Sequence, residues 1–180
     1  MGFCLLNHVA VAARYVQKKY GLERVMIVDW DVHHGNGTQD IFYTDPSVFY
    51  FSTHQWPYYP GTGAASETGS GGALGTTLNV PLAAGSGDPA IVDAFTRKLL
   101  PAAEVFRPEF VFVSAGFDAH SNDPLAGLEV TEAGYRELTR IVIDIADRYA
   151  NGRLVSVLEG GYHLNALPRS VDVHLRTLLE

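Results

Sequence analysis

Asp29-Trp30-Asp31-Val32-His33-His34 packs two carboxylates and two imidazoles into six residues, directly after the short apolar run Val25-Met26-Ile27-Val28. Asp118 and His120 follow a second such run, Phe110 to Ser114, and Glu159, Tyr162 and His163 follow a third, Leu154 to Leu158. His54 follows a fourth, Val48 to Ser52. Ligands of open α/β sheets bind beyond the carboxyl ends of the strands, so these residues would share one rim. If the backbone stays extended from Asp29 to His33, alternate side chains lie on one side. Asp31 and His33 then converge on a single ion, Trp30 and Val32 pack away, and Asp118 reaches in from another strand end. Two carboxylates and one imidazole with an open position suit a Lewis-acid metal that must also hold water or a carbonyl oxygen. Zinc accepts such ligands, and iron, cobalt or manganese could use the same set. Taken singly, each Asp is as readily a cap or turn former and each His a hydrogen-bonded structural residue. Their conjunction favours a cation, because burying several carboxylates together is costly without one.

Neighbouring residues extend this reading. Strict alternation turns Asp29 away from the ion, so it is expected to support a ligand by hydrogen bonding or simply to form the turn. Asn36, between Gly35 and Gly37, either orients a neighbour or closes an Asx turn. Gly160 and Gly161 give the chain freedom just before Tyr162, whose phenol can donate a hydrogen bond to a carbonyl oxygen as it becomes an oxyanion; surface packing is the alternative. Tyr58 and Tyr59, with Phe3, could wall a narrow apolar passage or merely pack. Pro60-Gly61-Thr62-Gly63 and Gly69-Ser70-Gly71-Gly72 lack the preceding strand and the lysine of a phosphate-binding loop.

The elements that must position these groups are legible as alternating periodicities. The pattern predicts helices over 10–20, from 88 to about 103, from about 132 to 149 and over 170–179. Strands are predicted over 24–28, 48–52, 77–80, 110–114 and 154–158. This is an α/β chain, a three-layer, mostly parallel sheet with helices on both faces. The Gly-, Ser- and Thr-rich stretch 57–75 reads as a long loop, functional or mobile. At 180 residues, 47% of them hydrophobic, the chain can bury a substantial core as one domain. A net charge of −7 disfavours binding to nucleic acid. No apolar run is long enough to span a bilayer, and one cysteine cannot form an internal disulfide, so the expected compartment is the cytoplasm. Oligomeric state is not readable.

These segments resemble the histone deacetylase superfamily, specifically its class II branch and the bacterial histone-deacetylase-like amidohydrolases. Gly2 to Asn7, Asp29 to Thr38, Tyr59 to Gly63, Ser114 to His120 and Leu158 to Tyr162 occur in the family's order. The resemblance implies an arginase/deacetylase-like fold, with residues 1–180 forming the carboxyl-terminal portion of one catalytic domain. It implies zinc held by Asp31, His33 and Asp118, with Tyr162 stabilising the transition state. Gly2 and Phe3 would line a substrate channel opposite Tyr59, Asn36 would partner a catalytic histidine, and Asp29 would support its neighbour. A structural potassium ion would sit at the backbone of Asp29, Asp31, His33 and Thr53 with Ser52. The implied substrates are an acetylated lysine side chain, an acetylpolyamine or another small acyl amine, and a noncatalytic, zinc-supported interaction protein is the alternative. Two departures stand out. The family's tandem histidine pair precedes the segment matched by Gly2-Phe3, which makes Met1 readable as an internal methionine of a longer chain. His8 stands where the family commonly has Asn.

Overall fold

The computed structural model describes residues 3–180. In chain order its elements are α1 (His8–Tyr20), β1 (Val25–Asp29), α2 (Asn36–Phe42), β2 (Val48–Gln55), β3 (Thr77–Leu82), α3 (Asp88–Ala94), α4 (Leu100–Phe106), β4 (Phe110–Ala115), α5 (Glu132–Tyr149), β5 (Leu154–Leu158) and α6 (Ala166–Leu178). A π-turn, Phe95–Leu99, joins α3 to α4. The five strands form one sheet in the order β3-β2-β1-β4-β5, and every pairing is parallel. This is the expected α/β architecture, layered with helices on both faces.

β1 is buried on both faces, which is why its sequence reads as an unbroken apolar run. Alternation splits it between two cores. Val25 and Ile27 join Val9, Ala13 and Val16 of α1, whereas Met26 and Val28 join the larger core containing Phe95, Leu138 and Val142. Flanking registers pair Asp29 with Ser52 of β2 and with Ser114 of β4, so three polar residues end three adjacent strands at one level. The site is built on that rim.

Local signals explain most boundaries. Asn7 caps α1 by accepting from Ala10 N at 2.8 Å, and Gly21 closes it in the left-handed region at φ 67°. Thr131 caps α5 through its hydroxyl, 3.2 Å from Ala133 N and 3.4 Å from Gly134 N, with no reciprocal acid three residues on. α6 begins at Ala166, not Ser170, because Pro168 is tolerated in a first turn. β3 continues through Pro81 because an edge strand can spare a donor. α2 was expected as a turn. Its Gly-Asn-Gly start hides a helix whose order comes from burying Thr38, Gln39 and Phe42.

β5 is the sheet's other edge, and Val155 and Leu158 are 43% and 59% exposed there. No helix among the described residues is long and apolar enough to cross a membrane.

Candidate metal centre

β1 ends at Asp29, and the next residues bend rather than continue as a strand. The expectation of extended backbone through His33 is therefore corrected. The chain curls around its own carboxylates: Asp29 Oδ1 accepts from Asp31 N at 3.1 Å, and Asp31 Oδ1 accepts from His33 N at 2.9 Å. Two successive Asx turns bring Asp31 and His33 together where strand alternation would have done so less tightly. Trp30 and Val32 turn into the larger core as expected.

Asp118 closes the group from the end of β4. Its Oδ1 accepts from Val32 N at 2.8 Å, while His33 Nδ1 lies 3.1 Å from Asp31 Oδ1 and 3.2 Å from Asp118 Oδ2. One ligand atom from each of the three residues falls within 4.8 Å of the others. Asp118 Oδ2 is buried without an aligned hydrogen-bond donor. Its nearest positive group is the His33 imidazole at 3.2 Å, and burying two carboxylates side by side is costly unless a cation compensates them. The donor set and this buried oxygen fit a divalent metal.

The three side chains also shift one another's charges. Contact with the Asp118 carboxylate, and then with Asp31, pushes His33 up to about 10. Burial, with Asp31 second, raises Asp118. An imidazolium thus neutralises two carboxylates, a charge that a divalent ion would replace.

Gly160 sits against the group. Its N–H donates to Asp31 Oδ2 at 2.9 Å, and a Cβ there would lie 2.1 Å from Asp118 Oδ2 and 2.6 Å from Asp31 Oδ2. Gly160→Ala is expected to weaken metal affinity by about tenfold to a hundredfold while leaving the circular dichroism of the fold intact, as measured by competition with a chromophoric chelator. Unchanged affinity would show that the two carboxylates are not held against Gly160.

The remaining candidates distribute around this centre. Asp29 lies outside the cluster of Asp31, His33 and Asp118. Its Oδ2 accepts from Tyr50 Oη at 2.9 Å, and burial, then Asp31, raises its pKa. Asn36 begins α2, and its side chain makes no hydrogen bond among the described residues; its N–H donates to His34 O at 2.9 Å. Ser52 Oγ lies 3.0 Å from His54 Nδ1, and Thr53 Oγ1 is buried without a hydrogen bond. Tyr58 stacks on His33 at 5.6 Å between ring centroids, and Tyr59 meets the same imidazole edge-on at 6.2 Å. Phe3 meets Tyr162 edge-on at 6.2 Å. Gly2 lies outside the described residues. Burial, then Asp118 and Asp31, pushes the Tyr162 phenol up to about 12, so it remains a hydrogen-bond donor at neutral pH.

Sequence reasoning missed what orders the loop 57–75. His34 Nδ1 contacts Thr62 Oγ1 at 2.8 Å, His54 Nε2 contacts Gly63 O at 2.9 Å, and Glu67 accepts from Gly63 N and Ala64 N. Burial lowers His34, and burial with His34 as second cause lowers His54 to about 4, so both imidazoles are neutral. The remaining rim histidines serve local structure. His120 Nδ1 accepts from Asn122 N at 3.0 Å, and His163 Nδ1 accepts from Ala166 N at 3.1 Å at the start of α6.

Comparison with known proteins agrees with this geometry. The histone deacetylase domain matches residues 1–178. Histone deacetylase 10, chloroplastic, of Oryza sativa subsp. japonica is 51% identical over 179 residues, 99% of this chain and 40% of that protein. The polyamine deacetylase HDAC10 of Mus musculus is 45% identical over 185 residues, 99% of this chain and 27% of that one. The crystal structure of the HDA15 HD domain superposes with a TM-score of 0.93 at 47% identity, covering 99% of this chain and 50% of that one. The chain spans half or less of the length of these relatives. A rim triad of two carboxylates and an imidazole, on a parallel sheet that matches solved deacetylase domains, places this chain in the histone deacetylase family of amide-hydrolysing enzymes.

Proposed function

We propose that this chain carries the metal and oxyanion parts of a zinc-dependent amidohydrolase that removes an acyl group from an amine, with acetyl-lysine as its substrate. The observation that carries this reading is the convergence of Asp31, His33 and Asp118, with Asp118 Oδ2 buried among them and lacking an aligned hydrogen-bond donor. Those three residues would hold the zinc, which when bound supplies a Lewis acid for the amide carbonyl and an acidified water. The protein's own groups do the rest. Val32 N–H and Gly160 N–H orient one oxygen each of Asp118 and Asp31. Tyr162 donates its phenolic hydrogen to the carbonyl oxygen as negative charge develops there. Tyr58, Tyr59 and Phe3 shield the reacting amide from water and receive an aliphatic stem. Asp29 supports the bend that carries Asp31, and Asn36 orients a histidine contributed from upstream. Potassium belongs to the same reading as a structural ion at Asp29, Asp31, His33, Ser52 and Thr53, where the β1–β2 register sets Ser52 beside Asp29.

Residues 1–180 are, in this reading, the carboxyl-terminal portion of one catalytic domain, with proton-transfer histidines standing upstream of Gly2. The exposed edge of β5 supports it, as do Phe3, Leu5 and Leu6 at 87%, 103% and 70% exposure, since apolar surface of this kind is normally covered. Cytoplasmic residence is proposed on the single unpaired Cys4; the chloroplastic label of the rice relative makes imaging of the tagged, upstream-extended protein the deciding observation.

The test is zinc analysis and a substrate panel on the upstream-extended protein. One zinc per chain and faster hydrolysis of acetyl-lysine peptides than of acetylpolyamines are expected. The mouse relative's name favours the reverse order as the second reading. Stoichiometric zinc with no hydrolysis of any acyl amine would leave a zinc-supported interaction protein instead.

Metal uptake also has a definite pH dependence. His33 at about 10 is protonated at neutral pH in the metal-free site, and zinc needs the neutral imidazole. Uptake therefore expels the His33 proton together with any that Asp118, raised by burial to about 7, still holds, so at least one proton leaves and affinity rises about tenfold or more per pH unit from pH 7 to 8. Calorimetry in buffers of different ionisation enthalpy measures the released proton directly. Uptake without proton release would mean that His33 is already neutral.

A further inference from the structure

The segment that presents Tyr162 is fastened through its backbone on both sides of Gly161. Gly160 is fastened at both ends, its N–H to Asp31 and its carbonyl accepting from Phe117 N at 2.7 Å. Gly161 then adopts φ 140°, a backbone conformation that side-chain-bearing residues rarely take, and a Cβ there would lie 2.7 Å from Leu167 Cδ1. Tyr162 is 37% exposed, and no hydrogen bond from its hydroxyl is made among the described residues. Its backbone N–H is held. Asp123 Oδ2 accepts from Tyr162 N at 2.8 Å, 39 residues away in sequence.

Asp123 is itself well placed to bear that load. It is only 7% exposed, and its other oxygen accepts from Leu125 N at 3.0 Å. The loop carrying it springs directly from the metal ligand Asp118. Its base is closed by Val130 N donating to Ala119 O at 3.1 Å and Ser121 N donating to Val130 O at 2.9 Å, and Asp123 N donates to His120 O at 2.8 Å. The same loop reaches the other wall of the site, because Leu125 O accepts from the hydroxyl of Tyr58, the ring stacked on His33. A carboxylate is the side chain this geometry asks for. It offers two acceptors to two N–H donors, and each bond is charge-assisted. An amide offers one acceptor and turns its own N–H toward the second donor.

We propose that Asp123 is the positioning residue for Tyr162: by clasping the N–H beyond Gly161, it holds the phenol beside the metal triad and couples it to the Tyr58 wall. The proposal rests on the amidohydrolase reading for its catalytic consequence, and on the Asp123–Tyr162 bond alone for its structural content. Asp123 touches no reacting atom. It acts by limiting where Tyr162 can stand, and a displacement of about 1 Å at such a group costs about a hundredfold in rate.

The experiment compares Asp123→Ala and Asp123→Asn with wild type by amide hydrogen exchange resolved at Tyr162, and by steady-state kinetics of the zinc-loaded, upstream-extended protein with and without Tyr162→Phe. Asp123→Ala is expected to speed exchange at Tyr162 by about tenfold or more, with exchange in β1 and β4 unchanged. It is also expected to lower kcat by about tenfold to a hundredfold at unchanged zinc content. Asp123→Asn, which preserves the shape and one acceptor, should lose less on both counts and carries the test if the alanine variant fails to fold. In the Tyr162→Phe background, Asp123→Ala should cost almost nothing further, because the phenol it positions is gone. Unchanged exchange at Tyr162, or a loss that multiplies in full with that of Tyr162→Phe, overturns the proposal. A wild-type protein with no hydrolytic activity defeats the amidohydrolase reading on its own, and the exchange result then still decides whether Asp123 clasps Tyr162.

Discussion

Asp118→Ala is expected to abolish stoichiometric zinc binding and to lower hydrolysis by the upstream-extended protein about a thousandfold or more. Asp118 contributes the one buried carboxylate oxygen of the triad that has no aligned donor, and it lies 3.2 Å from His33 Nδ1. Removing it leaves two ligands where a catalytic zinc site ordinarily uses three. A bound Lewis acid stabilises the transition state by several kcal/mol, and a loss of about 4 kcal/mol corresponds to about a thousandfold in rate. The substitution also strips Val32 N–H of its acceptor at 2.8 Å, an effect on stability rather than on metal. Asp118→Asn separates the two effects, because it keeps a carbonyl oxygen for Val32 and removes only the charge. Both variants should lose zinc, and the asparagine variant should retain more thermal stability. If Asp118→Ala still binds one zinc per chain with wild-type affinity, the metal is held elsewhere.

Supplying the upstream segment is expected to raise hydrolysis of an acetyl-lysine peptide by about a hundredfold to ten-thousandfold over the 180-residue chain, the range in which a positioned general base acts. Six of the seven histidines are engaged by neighbouring groups of the protein itself. His33 is held between Asp31 and Asp118. His34 lies between Thr62 and Gln39, and His54 between Ser52 and Gly63. His120 and His163 accept from backbone N–H groups. His174 is buried in the larger core between Thr139 and Ser156, and its burial lowers it to about 4. His8, the exposed first residue of α1, lies within electrostatic reach of Glu159 just beyond β5. In the amidohydrolase reading, the proton acceptor for the attacking water is therefore assigned to the upstream segment. Equal rates for the short and extended proteins, at equal zinc content, would sink this expectation.

Much of this protein was legible before any coordinates. The apolar runs ending in Asp29, Ser52 and Ser114 are buried on two faces, so their composition alone marks them as interior parallel strands. The left-handed Gly21 that closes α1 is local backbone chemistry, readable over a few residues, whereas the caps at Asn7 and Thr131 were not anticipated. Asp31, His33 and Asp118 stood out because polar residues directly after such strands must lie on one rim.

Other features depend on pairs far apart in the chain, and no window of sequence contains them. The helix α2 looks like a turn until Phe42 is buried against α1 and β2, because its own propensity is too weak to declare it. Asp31 and His33 meet through Asx turns, not strand alternation, since β1 stops pairing at Asp29. Gly160 must lack a side chain because Asp31, 129 residues earlier, comes to it, and Asp123 gains its role only when the loop after β4 folds back over Gly161. The sequence by itself determined the layers, the strands and the identity of the metal-capable side chains, because periodicity and burial are properties of each segment. Tertiary structure alone decided which backbone N–H groups hold those side chains in place, because a hydrogen bond is made by whatever the fold brings within about 3 Å.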